Sequence, residues 1–175
     1  MLALRLVNAI EQHAEQLTEA VVQALRTDPR TPSYRRLESQ EDHVRVFAVV
    51  HNLGKWLDTR SDKDTENTYR NLGRKRFSEG IPLSEVVCAL MLTKQIICHF
   101  IESEGWMDSA LDLRQQVELY NRIGRFFERA IYFAVLSYEA VARSSTKMTA
   151  QSEPQKWKFV GEVFRKITTV HPERL

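Results

Sequence analysis

Residues 107–143 read MDSALDLRQQVELYNRIGRFFERAIYFAVLSYEAVAR, and the rest of the chain can be understood from this stretch. It contains no proline and a single glycine, so at the helical rise it could run roughly 55 Å without a break. Alternating steps of four and three residues give a heptad seam, which consists of Leu113, Val117, Tyr120, Gly124, Phe127, Ile131, Ala134 and Tyr138. A second apolar row lies beside the seam and consists of Leu119, Ile123, Phe126, Ala130 and Phe133. The stretch predicts a long core helix with two apolar faces.

Two interpretations of these faces are open. In the first, one row packs on the helix's own domain and the seam pairs with a second copy. This interpretation is favoured because so long a helix extends beyond a domain roughly 30 Å across. In the second, both rows are buried inside a monomer. Tyr120, Gly124 and Ala134 mix large and small residues, which is not an ideal two-stranded seam. We expect a homodimer formed through this helix.

The composition favours an ordinary soluble protein with an all-α fold. Hydrophobic residues make up 43% of the chain and charged residues 27%. Gly and Pro number only 6 and 5, which leaves little room for the tight turns of an all-β fold. The net charge of +2 does not by itself imply a nucleic-acid partner. The apolar segment 86–101 is too short to span a bilayer and carries Lys94 and His99, so we expect no membrane insertion.

Hydrophobic periodicity predicts about five helices followed by a tail. The first covers residues 2–26 and the second runs from Ser39 to about Leu57. The third opens at Ser61-Asp62 and ends at Gly80, and the fourth follows with Ser84 as its N-cap and is apolar nearly all round. We expect the folded domain to span residues 1–143. Residues 144–175 then form a polar linker and a short basic amphipathic helix with an apolar edge, Trp157, Val160, Phe164 and Ile167.

The sequence carries no recognisable catalytic or metal-binding motif, and we expect no enzyme, no metal and no cofactor. His51 and His99 lie in the apolar halves of their predicted helices, where either could serve as an axial haem ligand or line a ligand pocket. An ordinary hydrogen-bonded histidine is the alternative for both. The third helix ends in a cationic run, Arg70, Arg74, Lys75 and Arg76. This run is either a partner surface or a solvated helix end that complements the helix dipole.

One segment resembles a known family. Residues 72–90 read LGRKRFSEGIPLSEVVCAL, in which a basic helix end, a glycine, a Leu-Ser-Glu turn and an apolar helix follow one another. This order is similar to the N-terminal domain of RsbR and RsbRD-type co-antagonists, and residues 125–130 (RFFERA) resemble that family's last long helix. The resemblance covers roughly residues 8–143. It implies a non-haem, globin-like helical bundle that dimerises through its final helix and acts as the sensory head of bacterial stress-signalling proteins.

The first hypothesis is therefore a non-catalytic, cytoplasmic signalling domain that binds itself and passes a signal to a partner protein or to a C-terminal output domain. In the RsbR proteins that output is a STAS domain, which residues 144–175 are too short to contain, so the chain either stands alone or is the N-terminal piece of a longer protein. The second hypothesis is a globin-like sensor that binds haem or a small apolar ligand. The seam, the histidines and the cationic run are the residues on which these hypotheses depend.

Overall fold

The computed structural model describes residues 2–37, 39–57, 62–104 and 109–168, with side chains as far as residue 146 except those of Ser39 and Asp62. The described residues form helices and turns and no strand, so the predicted all-α class is confirmed. The helices are α1 (Leu2–Gln12), α2 (Ala14–Thr27), a 3₁₀ turn (Pro32–Arg35), α3 (Ser39–His51), α4 (Leu53–Leu57), α5 (Asp62–Ser78), α6 (Leu83–Ser103) and α7 (Ala110–Thr168).

Two of the predicted helices are each divided in two. The first breaks at His13, where the backbone (φ −97°, ψ 19°) leaves the helical region and the ring Nδ1 lies 2.9 Å from the Ala9 carbonyl oxygen. The second breaks at Asn52, so that α4 starts afresh at Leu53. Glu11 of α1 accepts a 2.9 Å hydrogen bond from the Gly54 amide, which would otherwise be an unpaired N–H of the first turn of α4. A long-range contact therefore supports this second break.

The turn between α5 and α6 follows the predicted glycine. Gly80 has φ +70°, a conformation that glycine adopts without strain, and the Ile81 amide closes the end of α5 by donating to the Arg76 carbonyl oxygen (3.0 Å). The predicted start of α6 is wrong by a residue or two. The helix begins at Leu83 with Pro82 as the N-cap residue, whose carbonyl oxygen accepts from the amides of residues 85 and 86.

The chain divides into two compact units, Met1–Tyr138 and Glu139–Leu175. In the first unit, every α-helix and the 3₁₀ turn contribute to a single apolar core, in which α2 packs on α3 and α6. Helix α6 is long and apolar enough to cross a membrane (21 residues, mean hydropathy 1.4), which corrects the prediction that its segment is too short. Half of that window is buried inside the protein, and central helices of soluble proteins meet the same two criteria.

Helix α7 is longer than predicted, because residues 144–153, expected as a linker, continue it to Thr168. Serine and threonine need not end a helix when their hydroxyls bond within it. Ser144, Ser145 and Thr146 each donate to the carbonyl oxygen four residues back, over 2.9, 3.1 and 3.0 Å. The predicted apolar edge at residues 157–167 lies outside the described side chains.

Candidate functional site

The predicted seam on α7 winds from the protein surface into the core. Leu113 and Val117 are 53% and 48% exposed, whereas Phe127 and Ala134, further along the same seam, are fully buried. A strict seven-residue repeat on a straight helix drifts by about 20° per heptad, because 3.6 residues per turn do not divide seven evenly. The second row is the one that faces the core, since Leu119, Ile123, Phe126 and Ala130 are buried and Phe133 is half-buried.

An apolar track that stays at the surface combines four residues of the seam with Val135. We call it the α7 stripe, and it consists of Leu113, Val117, Gly124, Ile131 and Val135. The first two are exposed and the last three are half-buried. A Cβ added at Gly124 would have no atom within 4 Å, so the stripe is open to solvent at this point. The α7 stripe is therefore an apolar track on the surface of the domain.

The two seam tyrosines stand at the border between the stripe and the core. The Tyr138 hydroxyl donates to the Ile81 carbonyl oxygen over 2.8 Å, and it thereby ties α7 to the turn that precedes α6. The Tyr120 hydroxyl accepts from the Gln116 amide at 3.1 Å and lies 3.5 Å from the Cys98 carbonyl oxygen of α6. Both side chains fix the position of α7 against α6.

The predicted cationic run is not one free surface. Arg70 is paired with Glu66 at 2.7 Å and lies over the Phe133 ring, 5.4 Å from its centroid. Lys75 is paired with Glu41. Arg76 is buried, which corrects its prediction as a surface residue, and only Arg74 points outward without an ion pair to a described residue. Arg70 and Arg74 are four residues apart and share one side of α5, but successive helix residues do not face each other, so Lys75 and Arg76 point in other directions.

Arg76 stands at the centre of a buried polar cluster. Its side chain is 4% exposed, its Nη2 is paired with Asp42 of α3, and its Nη1 donates to Glu79 over 2.7 Å. The Tyr34 ring of the 3₁₀ turn covers the guanidinium, with 5.1 Å between Cζ and the ring centroid. Burial raises the pKa of the Tyr34 hydroxyl to about 12. A charge buried in this way is stable only while its partners stay in place, so the cluster ties α3 to α5.

A cavity of about 50 Å³ lies against this cluster. Most of its wall is apolar and comes from α2, α3, α5, α6 and α7, including Leu25, Val46, Val49, Leu72, Val86 and Phe127. Its polar end is formed by Tyr34, Asp42, Arg45 and Arg76. This arrangement could not be seen in the sequence, because Asp42 and Arg76 are 34 residues apart and each looks like an ordinary helix-end charge.

The two histidines predicted as pocket candidates lie at the surface. His99 is 83% exposed, and its Nδ1 lies 3.7 Å from Glu102. His51 is exposed on α3 and stacks on Phe47, with 5.0 Å between the ring centroids. Each ring leaves its helix on the solvent side. Neither histidine lines the buried cavity.

No three His, Cys, Asp or Glu side chains gather into a possible metal site within the part of the chain that the structure describes. The two cysteines are free, and burial raises the pKa of both thiols, which makes them poor nucleophiles at neutral pH. What the described residues offer is an apolar track on the last helix and a small, partly polar cavity. The described residues therefore form an all-α module that carries these two features.

Comparison with known families identifies which class of module it is. Residues 15–152 match the family described as the RsbT co-antagonist protein RsbRD N-terminal domain, and the chain belongs to that family. The resemblance seen in residues 72–90 and 125–130 is therefore confirmed. No curated protein and no solved structure shows a significant match to the chain. As a member of this family, the chain is a regulatory domain of stress signalling through partner switching.

Proposed function

We propose that this domain is a non-catalytic cytoplasmic regulator that forms a homodimer through the α7 stripe. In this proposal, the dimer passes its signal to a partner protein or to a C-terminal output domain. The observation that carries the proposal is the exposure of Leu113 and Val117 on the helix that also supplies the core residues Phe126 and Phe127. Exposed apolar side chains in register on one helix face are typical of an interaction surface.

The dimensions of the stripe suit a helix–helix interface. Leu113 and Val135 are 22 residues apart, which corresponds to about 33 Å along a helix. The open space at Gly124 allows a second helix to approach closely at the middle of the stripe. An isologous pair, in which the same stripe contributes from both copies, would cover the apolar side chains of both.

The charges beside the stripe are compatible with a second copy of the same chain. Arg114, Glu118, Arg125 and Glu128 are all exposed on the outer flank of the stripe. Two are positive and two are negative, so neither copy presents a uniform charge to the other. Alternating signs in such flanking positions support helix pairing and its orientation.

Helix α7 is also the element through which a signal could pass. It contributes Phe127 and Ala134 to the core and is tied by Tyr138 to the turn before α6. A change in how α5 and α6 pack would therefore alter the position or register of α7 in the dimer. We propose this change as the signal, since packed interfaces tend to switch between discrete arrangements.

Light scattering coupled to size exclusion tests the dimer. We expect the full chain to elute with the mass of a dimer at high micromolar concentration, and the double variant Leu113→Glu/Val117→Glu to elute as a folded monomer. Two buried carboxylates on each copy would destabilise the interface strongly. The matched control is Leu111→Glu, an exposed leucine of the same helix that points away from the stripe.

The control variant should remain dimeric, which would show that an added charge elsewhere on α7 is not enough to dissociate the dimer. A wild-type monomer at high micromolar concentration would contradict the proposal. So would a double variant that is still dimeric, because the interface would then lie elsewhere. Circular dichroism of each variant confirms that it is folded before its mass is interpreted.

A further inference from the structure

The cavity between α3, α5 and α6 combines apolar walls with hydrogen-bond donors that have no acceptor among the residues that the structure describes. We propose that it binds a small neutral organic molecule with a short aliphatic body and one acceptor oxygen, such as a ketone. The proposal that a ligand binds rests on the cavity alone. The suggestion that the ligand regulates α7 rests on the proposed function.

The donors are the first step of the argument. Two nitrogens of Arg76 are paired with carboxylates, but its buried Nε has no acceptor among the described residues. Arg45, 28% exposed, binds Glu41 through Nη2, whereas its buried Nη1 lies 4.0 Å from Asp42 and has no hydrogen-bond acceptor among the described side chains. Leaving a buried donor without an acceptor is costly, so an oxygen placed near both guanidinium groups would bind favourably.

The charge balance indicates that the ligand is neutral. Around the polar end, Arg45, Lys75 and Arg76 are matched by three carboxylates. These carboxylates are Glu41, Asp42 and Glu79. Because the positive charges are already compensated, an anionic ligand would add an unmatched buried charge, which is costly. A carbonyl or hydroxyl oxygen satisfies the donors without this cost.

The walls and the volume set the size of the molecule. Val49, Val86, Leu90 and Phe127 give an apolar lining, in which an aliphatic group is better placed than water. A water molecule needs roughly 10–15 Å³ of such volume. The 50 Å³ available therefore fits a few non-hydrogen atoms. Among the charged residues that line the cavity, Arg45 is the most exposed, and it marks the side from which a ligand could enter.

The position of the cavity connects it to the proposed signalling helix. Phe127 of α7 forms part of the wall, and Val86 and Leu90 of α6 form another part. A bound molecule would therefore contact both helices whose relative packing is held by Tyr138. Occupancy would favour one packing of α7 over another to the extent that the ligand binds the two packings with different affinity.

Methyl-detected NMR titration of the full chain tests the site, with butan-2-one as the probe and sodium butyrate as its anionic counterpart. We expect butan-2-one to shift the methyl signals of Val49, Val86 and Leu90 in a saturable way. Ala89→Leu places three further carbon atoms in the cavity and should weaken binding at least tenfold. The control Ala48→Leu adds the same atoms on the exposed face of α3 and should leave binding unchanged.

If Ala89→Leu does not fold, Val86→Ile adds one carbon to the same wall and should weaken binding measurably. The absence of a saturable shift with butan-2-one would overturn the proposal. Equal affinity of butan-2-one for the wild type and for Ala89→Leu would overturn it too. Tighter binding of butyrate than of butan-2-one would overturn the proposal that the ligand is neutral. These results report on the cavity whether the protein is monomeric or dimeric, so they are distinguishable from a failure of the dimer.

Discussion

At the scale of single residues, Tyr34 makes the stability that the cluster around Arg76 contributes fall at high pH. Burial raises the pKa of its hydroxyl from 10.0 to about 12, because the charged phenolate would lose hydration. The folded state therefore holds this proton more tightly than the unfolded chain. The resulting stability is fully present below pH 10 and is lost as the pH rises from about 10 to 12.

The variant Tyr34→Phe isolates this contribution, because it keeps the ring over Arg76 and removes the ionisable group. We expect the stability of the wild type relative to Tyr34→Phe to fall by about 1–3 kcal/mol between neutral pH and pH 12. Denaturant unfolding at a series of pH values measures the difference. A difference that does not change with pH would mean that Tyr34 is not shielded from water in the folded protein.

The residue scale is also where prediction from the sequence is weakest. The run that contains Arg76 was correctly read as the cationic end of a helix, yet Arg76 itself points inward because Asp42 meets it from α3. His99 shows the opposite error, since its ring leaves an apolar helix on the solvent side. Which side of a helix a residue occupies depends on partners far away in the chain, and a local pattern does not contain them.

At the scale of helices, the crossing of α5 and α7 depends on Gly73. A Cβ added there would overlap the Ala134 carbonyl oxygen and the Ser137 hydroxyl, so the two helices are in backbone contact at this point. Backbone atoms cannot move aside as a flexible side chain can. We expect Gly73→Ala to destabilise the protein by about 1–3 kcal/mol, although alanine is the better helix former.

Gly124→Ala is the matched control, because Gly124 is also in the interior of a helix and a Cβ added there would lie in open space. Here the gain in helix propensity should dominate and stabilise the protein by about 0.5–1 kcal/mol. Both variants are compared by denaturant unfolding at low protein concentration, so that association does not contribute. Equal and small effects of the two substitutions would show that α5 and α7 are not in close contact at Gly73.

The positions of helices were easier to predict from the sequence than the environments of single side chains, because the apolar periodicity of a helix is a local pattern. The sequence indicated the starts of α3 and α5 and the glycine after α5, all of which depend on neighbouring residues. It missed the break at Asn52, which Glu11 supports from another helix, and it read residues 144–153 as a linker from their polarity alone. The cavity was not predictable, since its walls come from helices that meet only in the folded chain.

At the scale of the whole molecule, the first unit has a core of its own, built from Leu2 to Ala134 without help from a second chain. This separates folding from association. The domain should fold as a monomer, and the α7 stripe should add stability only when a second copy is bound. Because dimerisation removes the folded monomer by mass action, the apparent melting temperature should rise with protein concentration.

We expect a rise of roughly 2–3 °C for each tenfold increase in the concentration of the wild-type protein, within the range in which the dimer forms. The variant Leu113→Glu/Val117→Glu should show no such rise. The two melting temperatures should converge at low concentration, because both proteins are then monomers with the same core. A constant gap between them at all concentrations would instead mean that these substitutions weaken the fold itself, and Leu113 and Val117 would then have a structural role within one chain.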